Sequence, residues 1–118
     1  MSQKLHAVFL DHASLDLGDL DLSPLQACFG SLQLHAQSHA DQVSTRLQGA
    51  SVAISNKAPL NAATLAANPQ LKLVLVAATG TNNVDLAAAQ AHGVTVCNCR
   101  AYGTPSVAQH TLLLMLAL

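Results

Sequence analysis

Five short apolar runs, at residues 4–10, 32–36, 51–55, 71–77 and 94–97, return about every 20 residues along this chain. Each is nearly continuous rather than alternating, as expected of strands buried on both faces. The stretches between them carry apolar residues at helical spacing, at 24–29, 40–47, 61–67, 84–92 and 105–118. Strand and helix in strict alternation specify an α/β fold. We expect a flavodoxin-like five-stranded parallel sheet in the order 2-1-3-4-5, with helices on both faces.

The punctuation agrees with that division. Ser23-Pro24 and Thr104-Pro105 each read as an N-cap followed by proline in the first turn. Gly30, Gly49 and Gly93 read as helix stops, and Asn68-Pro69 ends the helix before it. The acidic stretch 11–21 reads as a loop.

The 118 residues suit one domain, and 51% hydrophobic against 9% charged residues, with mean hydropathy +0.35, excludes a disordered chain. Five Lys+Arg against six Asp+Glu leave a net charge of −1, so no basic footprint for nucleic acid exists. The longest strictly apolar stretch, 112–118, is far short of the roughly 20 residues that span a bilayer, so no membrane helix is expected. The N-terminus lacks the pattern of a secretory signal, and Cys28, Cys97 and Cys99 are odd in number. Both features fit a cytoplasmic chain with reduced thiols.

In a sheet of this kind ligands bind beyond the carboxyl ends of the strands. The loops there hold Asp11, Asn56, Lys57, residues 78–83 and residues 98–104. The turn Thr79-Gly80-Thr81-Asn82-Asn83 stands out, because glycine permits unusual backbone angles and can leave amides free to meet an anion. An ordinary turn satisfies the same spacing, and Asp85 can cap the helix that follows instead of that helix attracting an anion. His110 lies in a helix with no nucleophile in a defined relation to it, so a structural role is expected. Cys97-Asn98-Cys99 and the His35/His39 pair do not complete a zinc ligand set, and His6, His12 and His92 belong to no motif. No metal site is expected.

Three ordered blocks resemble the D-isomer-specific 2-hydroxyacid dehydrogenases. They are Ala78-Thr79-Gly80-Thr81-Asn82-Asn83-Val84-Asp85-Leu86, then Gly93-Val94-Thr95-Val96-Cys97-Asn98, then Tyr102-Gly103-Thr104-Pro105-Ser106-Val107-Ala108-Gln109-His110-Thr111. Gln109 before His110 is similar to the glycerate dehydrogenase/hydroxypyruvate reductase branch. The resemblance implies that residues 1–104 are the N-terminal segment of a substrate domain. It implies that 105–118 begin an inter-domain hinge helix leading to a Rossmann domain. It places Ala78, Thr79 and Gly80 on the carboxylate of a small 2-hydroxy or 2-oxo acid, with Asn56 and Lys57 on the rim. Tyr102, Gly103 and Thr104 would line the cleft near the cofactor.

The resemblance further implies NAD or NADP in a longer enzyme, a full-length homodimer, and a catalytic Arg, Glu and His downstream of Leu118. No catalytic residue is therefore assigned within this chain, and neither Arg46 nor Arg100 takes the catalytic Arg position. The six glycines include no pair spaced two apart, so G-x-G-x-x-G is absent, and the chain alone is expected to bind a dinucleotide poorly and to be inactive. Residues 112–118 are apolar all round, which calls for burial between packed layers or else leaves an adhesive patch. Two other readings remain: a receiver-like signalling domain, for which Asp11 and Thr79 fit but Asn56 replaces the phosphoacceptor carboxylate, and a non-catalytic binding remnant of the dehydrogenase fold.

Overall fold

The structure, a computed structural model, describes residues 4–118. In chain order the elements are β1 (His6–Phe9), a 3-10 turn (His12–Ser14), α1 (Ser23–Ala27), β2 (Ser31–Leu34), α2 (Ala40–Arg46) and β3 (Val52–Ser55). There follow α3 (Ala62–Ala67), β4 (Leu73–Val76), α4 (Leu86–Ala91), β5 (Thr95–Asn98) and α5 (Thr104–Ala117). All strand pairs are parallel and the order is β2-β1-β3-β4-β5, as the apolar runs require. Across the middle of the sheet Ile54 sits level with Phe9 on one side and Leu75 on the other. The strands are shorter than the runs that announced them because buried positions continue past their ends. Leu10 and Leu71, both outside the strands, are fully buried.

One face of the sheet is thickly covered. Val43 and Leu47 from α2 and its end, Leu65 from α3 and Ala89 from α4 pack with Val8, Leu10, Ala53, Val74 and Val76. Burying a side chain of the Val or Leu class contributes about 1.5–3 kcal/mol each, so this layer carries the fold. The opposite face, Ala7, Phe9, Val52 and Ile54, is covered by Leu25 and Phe29 from α1 and its exit. A five-residue helix is about 7.5 Å long and strands lie about 4.8 Å apart, so α1 shelters only the β2-β1-β3 side. Helices thus occupy both faces, but in a ratio of three to one, and Cys97 on β5 stays exposed.

The helix boundaries correct three readings. Ser23 and Thr104 are the first helical residues rather than N-caps; the caps are Leu22 and Gly103, with no side-chain bond from either. Proline in the first turn of each helix supplies the preset φ, so a hydroxyl cap is not needed to start it. Gly30 does not adopt the left-handed conformation seen at Gly49 (φ 79°) and Gly93 (φ 68°). A Cβ there would collide with the Cα and Cβ of Lys4, while its N–H donates to the Leu5 carbonyl at 2.9 Å. Gly30 therefore allows a close approach of the segments that lead into β1 and β2.

Helix α5 is exposed along its whole length, with Leu112, Leu113, Leu114, Met115 and Leu116 each more than half accessible. Burial between layers, one of the two expectations for this segment, is not what the described residues show; the exposed apolar patch is. No helix is long and apolar enough to cross a membrane among the described residues.

Candidate functional site

The carboxyl ends of β3, β4 and β5 meet around two cavities, and the loop after β1 lines a third, of about 400 Å³, with Lys57 and Ala58. After β3 the chain passes through Asn56-Lys57-Ala58, and after β4 through residues 77–83. The two loops are tied to each other. Leu60 N–H donates to Asn83 O at 2.7 Å and Asp85 N–H to Leu60 O at 3.0 Å, while the Asn83 side-chain amide donates to Ser55 Oγ (3.1 Å) and Ala58 O (3.0 Å). Such bonds hold a loop as a secondary-structure ladder holds a strand.

On its other side the 77–83 loop is tied to β5. Cys99 N–H donates to Ala78 O at 3.0 Å, and the Asn98 side-chain amide donates to Thr79 O at 2.7 Å. In a trans peptide the N–H points opposite to the preceding carbonyl. With the carbonyls of Ala78 and Thr79 turned to β5, the N–H groups of Thr79 and Gly80 turn away from it. Among the described residues the amides of Ala78, Thr79 and Gly80 have no protein acceptor. Gly80 does not have a left-handed backbone, contrary to the expectation that its turn exploits unusual angles, and an added Cβ would meet nothing within 4 Å. What the missing side chain provides here is open space.

A cavity of about 200 Å³ is lined by Asn56, Lys57, Ala78, Gly80, Asn82 and Asn83. Four of the residues singled out in the sequence, Asn56, Lys57, Ala78 and Gly80, thus share one opening. Thr79 faces a second cavity, of about 600 Å³, with Tyr102, Gly103 and Thr104 and with Ala101, Val107 and Ala108. Thr79 therefore stands at the partition between a small polar opening and a larger, more apolar one. The helix α4 behind this turn is capped by the Asp85 carboxylate, which accepts from Ala88 N–H at 2.9 Å and sets a negative charge at the helix N-terminus. Of the two readings of Asp85, the cap is the one realised.

Asp11 and Asn83 are the residues whose structural part the sequence did not reveal. Asp11, 5% exposed, accepts from the backbone N–H groups of Asn56 (2.9 Å), Lys57 (2.5 Å) and Ala58 (2.8 Å). The available signal was an acid placed directly after one of the most apolar strands. Its carboxylate is committed to three backbone N–H groups, a structural use unlike the metal-facing acid of a receiver domain. Asn56 is itself buried, its side-chain amide donating to Ser14 Oγ at 2.8 Å.

Elsewhere, His12 Nδ1 and His35 Nε2 are buried without a hydrogen-bond partner. Burial, then the charge of Arg46, then that of His12 hold the His35 imidazole below its usual pKa. His110 is exposed on α5, and the three thiols are free and exposed. No group of three or more metal-ligating side chains occurs among the described residues. The glycine-containing turn before α4 does not suit a pyrophosphate, because it ends at the acidic cap Asp85. The larger cavity offers a wall rather than a phosphate cradle.

Residues 8–113 match the family model described as D-isomer specific 2-hydroxyacid dehydrogenase, catalytic domain. The chain is 51% identical over 78 residues to a glycerate dehydrogenase of Methylorubrum extorquens, which covers 66% of this chain and 25% of that protein. It is 35% identical over 111 residues to a hydroxypyruvate reductase of Blautia hydrogenotrophica, covering 92% of this chain and 34% of that protein. Among solved structures it superposes on an NAD-dependent formate dehydrogenase from Staphylococcus aureus in complex with NAD. The TM-score is 0.77 at 25% identity, over 97% of this chain and 38% of that one. The chain thus spans between a quarter and two-fifths of the length of these proteins.

Proposed function

This chain belongs to the D-isomer specific 2-hydroxyacid dehydrogenase family, and from that premise we propose that it supplies the substrate-binding side of an NAD(P)-dependent oxidoreductase acting on D-glycerate and hydroxypyruvate. The observation that supports the reading is the set of unpartnered amides at Ala78, Thr79 and Gly80 beside Lys57. An α-carboxylate accepting two or three of these N–H groups would be fixed by charge-assisted hydrogen bonds. The Lys57 ammonium would draw the anion in from solvent. Fixing the carboxylate orients the adjacent carbonyl carbon, and orientation of this kind supplies much of what hydride transfer needs.

In this reading the acid is anchored in the smaller cavity and its carbonyl carbon lies at the Thr79 partition. The wall formed by Tyr102, Gly103 and Thr104 faces the nicotinamide. When bound, the nicotinamide supplies or takes the hydride. Residues 1–104 then act as part of a substrate domain, and α5 leads toward a dinucleotide-binding domain that also provides the proton donor. The chain Met1–Leu118 is accordingly expected to bind the acid and to show no NADH-dependent turnover.

The test is a titration of the ¹⁵N-labelled chain with hydroxypyruvate, using dihydroxyacetone as the analogue without a carboxylate. The amides of Thr79 and Gly80 are expected to shift saturably with the acid and not with the ketone. Identical responses to both, or no response at tens of millimolar, would overturn the reading.

A further inference from the structure

We propose that Asp11 is a positioning residue that gives the candidate site a hydroxyl-accepting wall, selecting 2-oxo acids that carry a 3-hydroxyl. This rests on the substrate reading above, and deepens it. The Asp11 carboxylate gathers the N–H groups of Asn56, Lys57 and Ala58, three in succession. Because a trans peptide sets each carbonyl opposite the next N–H, the carbonyls of Asn56 and Lys57 point away from Asp11. Neither receives a donor from the described residues. Both residues line the small cavity together with Ala78 and Gly80.

The two walls therefore differ in kind. The 78–80 side presents N–H groups and suits a carboxylate, whereas the 56–57 backbone presents carbonyl oxygens and suits a hydrogen-bond donor. A substrate with an anion at one end and a hydroxyl donor two carbons away matches both walls. A substrate ending in a methyl would displace water from these carbonyls without giving them a donor, which is costly.

The orientation depends on the carboxylate and its brace. Charge-assisted hydrogen bonds are roughly twice as strong as neutral ones, and here three converge on one side chain. Ser14 adds a second tie, its hydroxyl donating to Asp11 O at 2.7 Å and accepting from the Asn56 side chain at 2.8 Å. On the far side Asn83 holds Ala58 O, so the wall is pinned at both ends. An asparagine at position 11 keeps the shape but loses the charge and replaces an acceptor by a donor facing an N–H. The 56–58 peptides would then turn, and their carbonyls would leave the cavity.

The experiment compares hydroxypyruvate with pyruvate on the ¹⁵N-labelled chain Met1–Leu118, reading affinity from the Thr79 and Gly80 amides. The wild-type chain is expected to bind hydroxypyruvate about tenfold more tightly, the value of one hydrogen bond. In Asp11→Asn that ratio should fall to near one with pyruvate affinity held within about twofold. Ser14→Ala, which leaves the carboxylate in place, should lower the ratio about threefold and serves if Asp11→Asn does not fold. Equal affinities in the wild-type chain, or a ratio unchanged in the variants, would overturn the inference while leaving the carboxylate site intact. Absence of any amide shift with either acid would instead remove the substrate reading, and this inference with it.

Discussion

Replacing Gly30 by alanine tests whether the edge of the sheet is built as described. An added methyl would overlap the Cα and Cβ of Lys4, atoms close to the backbone that cannot swing aside as the tip of a side chain can. Relief requires β1 and β2 to separate, which strains the bonds from Gly30 and Ser31 N–H to Leu5 O at 2.9 and 3.4 Å. Overpacking of this kind costs about 1–3 kcal/mol. Restricting the unfolded chain returns about 0.4–1 kcal/mol. With the mid-range values, Gly30→Ala should therefore destabilise the domain by about 1.3 kcal/mol, and with a urea m value near 1.5 kcal/mol/M the midpoint should fall by roughly 0.9 M. Gly30→Asn separates this cause from a helix-terminating one, since asparagine is the residue best tolerated after glycine in a left-handed cap. A collision makes asparagine at least as harmful as alanine. Unchanged or raised stability in Gly30→Ala, or recovery in Gly30→Asn, would refute the close-approach argument.

At Gly80 the structure forecasts the opposite: a Cβ meets nothing, so Gly80→Ala should melt no lower than the parent, yet its methyl would occupy the proposed anion site and weaken hydroxypyruvate binding about tenfold or more. Ala101 holds φ 58°, a left-handed conformation that costs an L-residue about 1–2 kcal/mol; Ala101→Gly, after the entropic cost of glycine, should raise stability by about 0.5–1 kcal/mol and the melting temperature by roughly 2–5 °C. His35 has a lowered pKa in the folded chain, so the unfolded chain binds more protons and stability rises with pH. Its contribution should be complete above the unfolded value of 6.5 and be lost as pH falls through 6.5 toward the folded value. His35→Gln should flatten the urea midpoint between pH 7 and 5, and a slope unchanged in that variant would assign the effect to another group.

Much of the architecture was legible in residue order alone. Near-continuous apolar runs identified the five strands and their parallel pairing, because only a sheet covered on both faces buries every position of a strand. Gly49 and Gly93 marked helix ends, and they do adopt the left-handed conformation that their place after a helix requires. The candidate site was legible as a set of loops at the carboxyl ends of strands, and Asn56, Lys57, Ala78 and Gly80 do converge on one cavity.

Tertiary structure decided the rest, for a reason visible at Asp11. Its three partners lie 45–47 residues away in sequence, and they become neighbours only because β1 sits between β2 and β3 in the sheet. Local pattern reports periodicity and backbone conformation, both of which repeat within a few residues. It carries no record of which carboxylate a distant N–H will reach. The same limit explains Gly30, whose requirement comes from Lys4 just before β1, and Thr79, which lines a different cavity from Gly80 while its carbonyl is hydrogen-bonded to Asn98 of β5. Sequence determined the elements and the edge of the sheet where a ligand would lie; the packing of β1 and β5 against their neighbours determined which atoms face it.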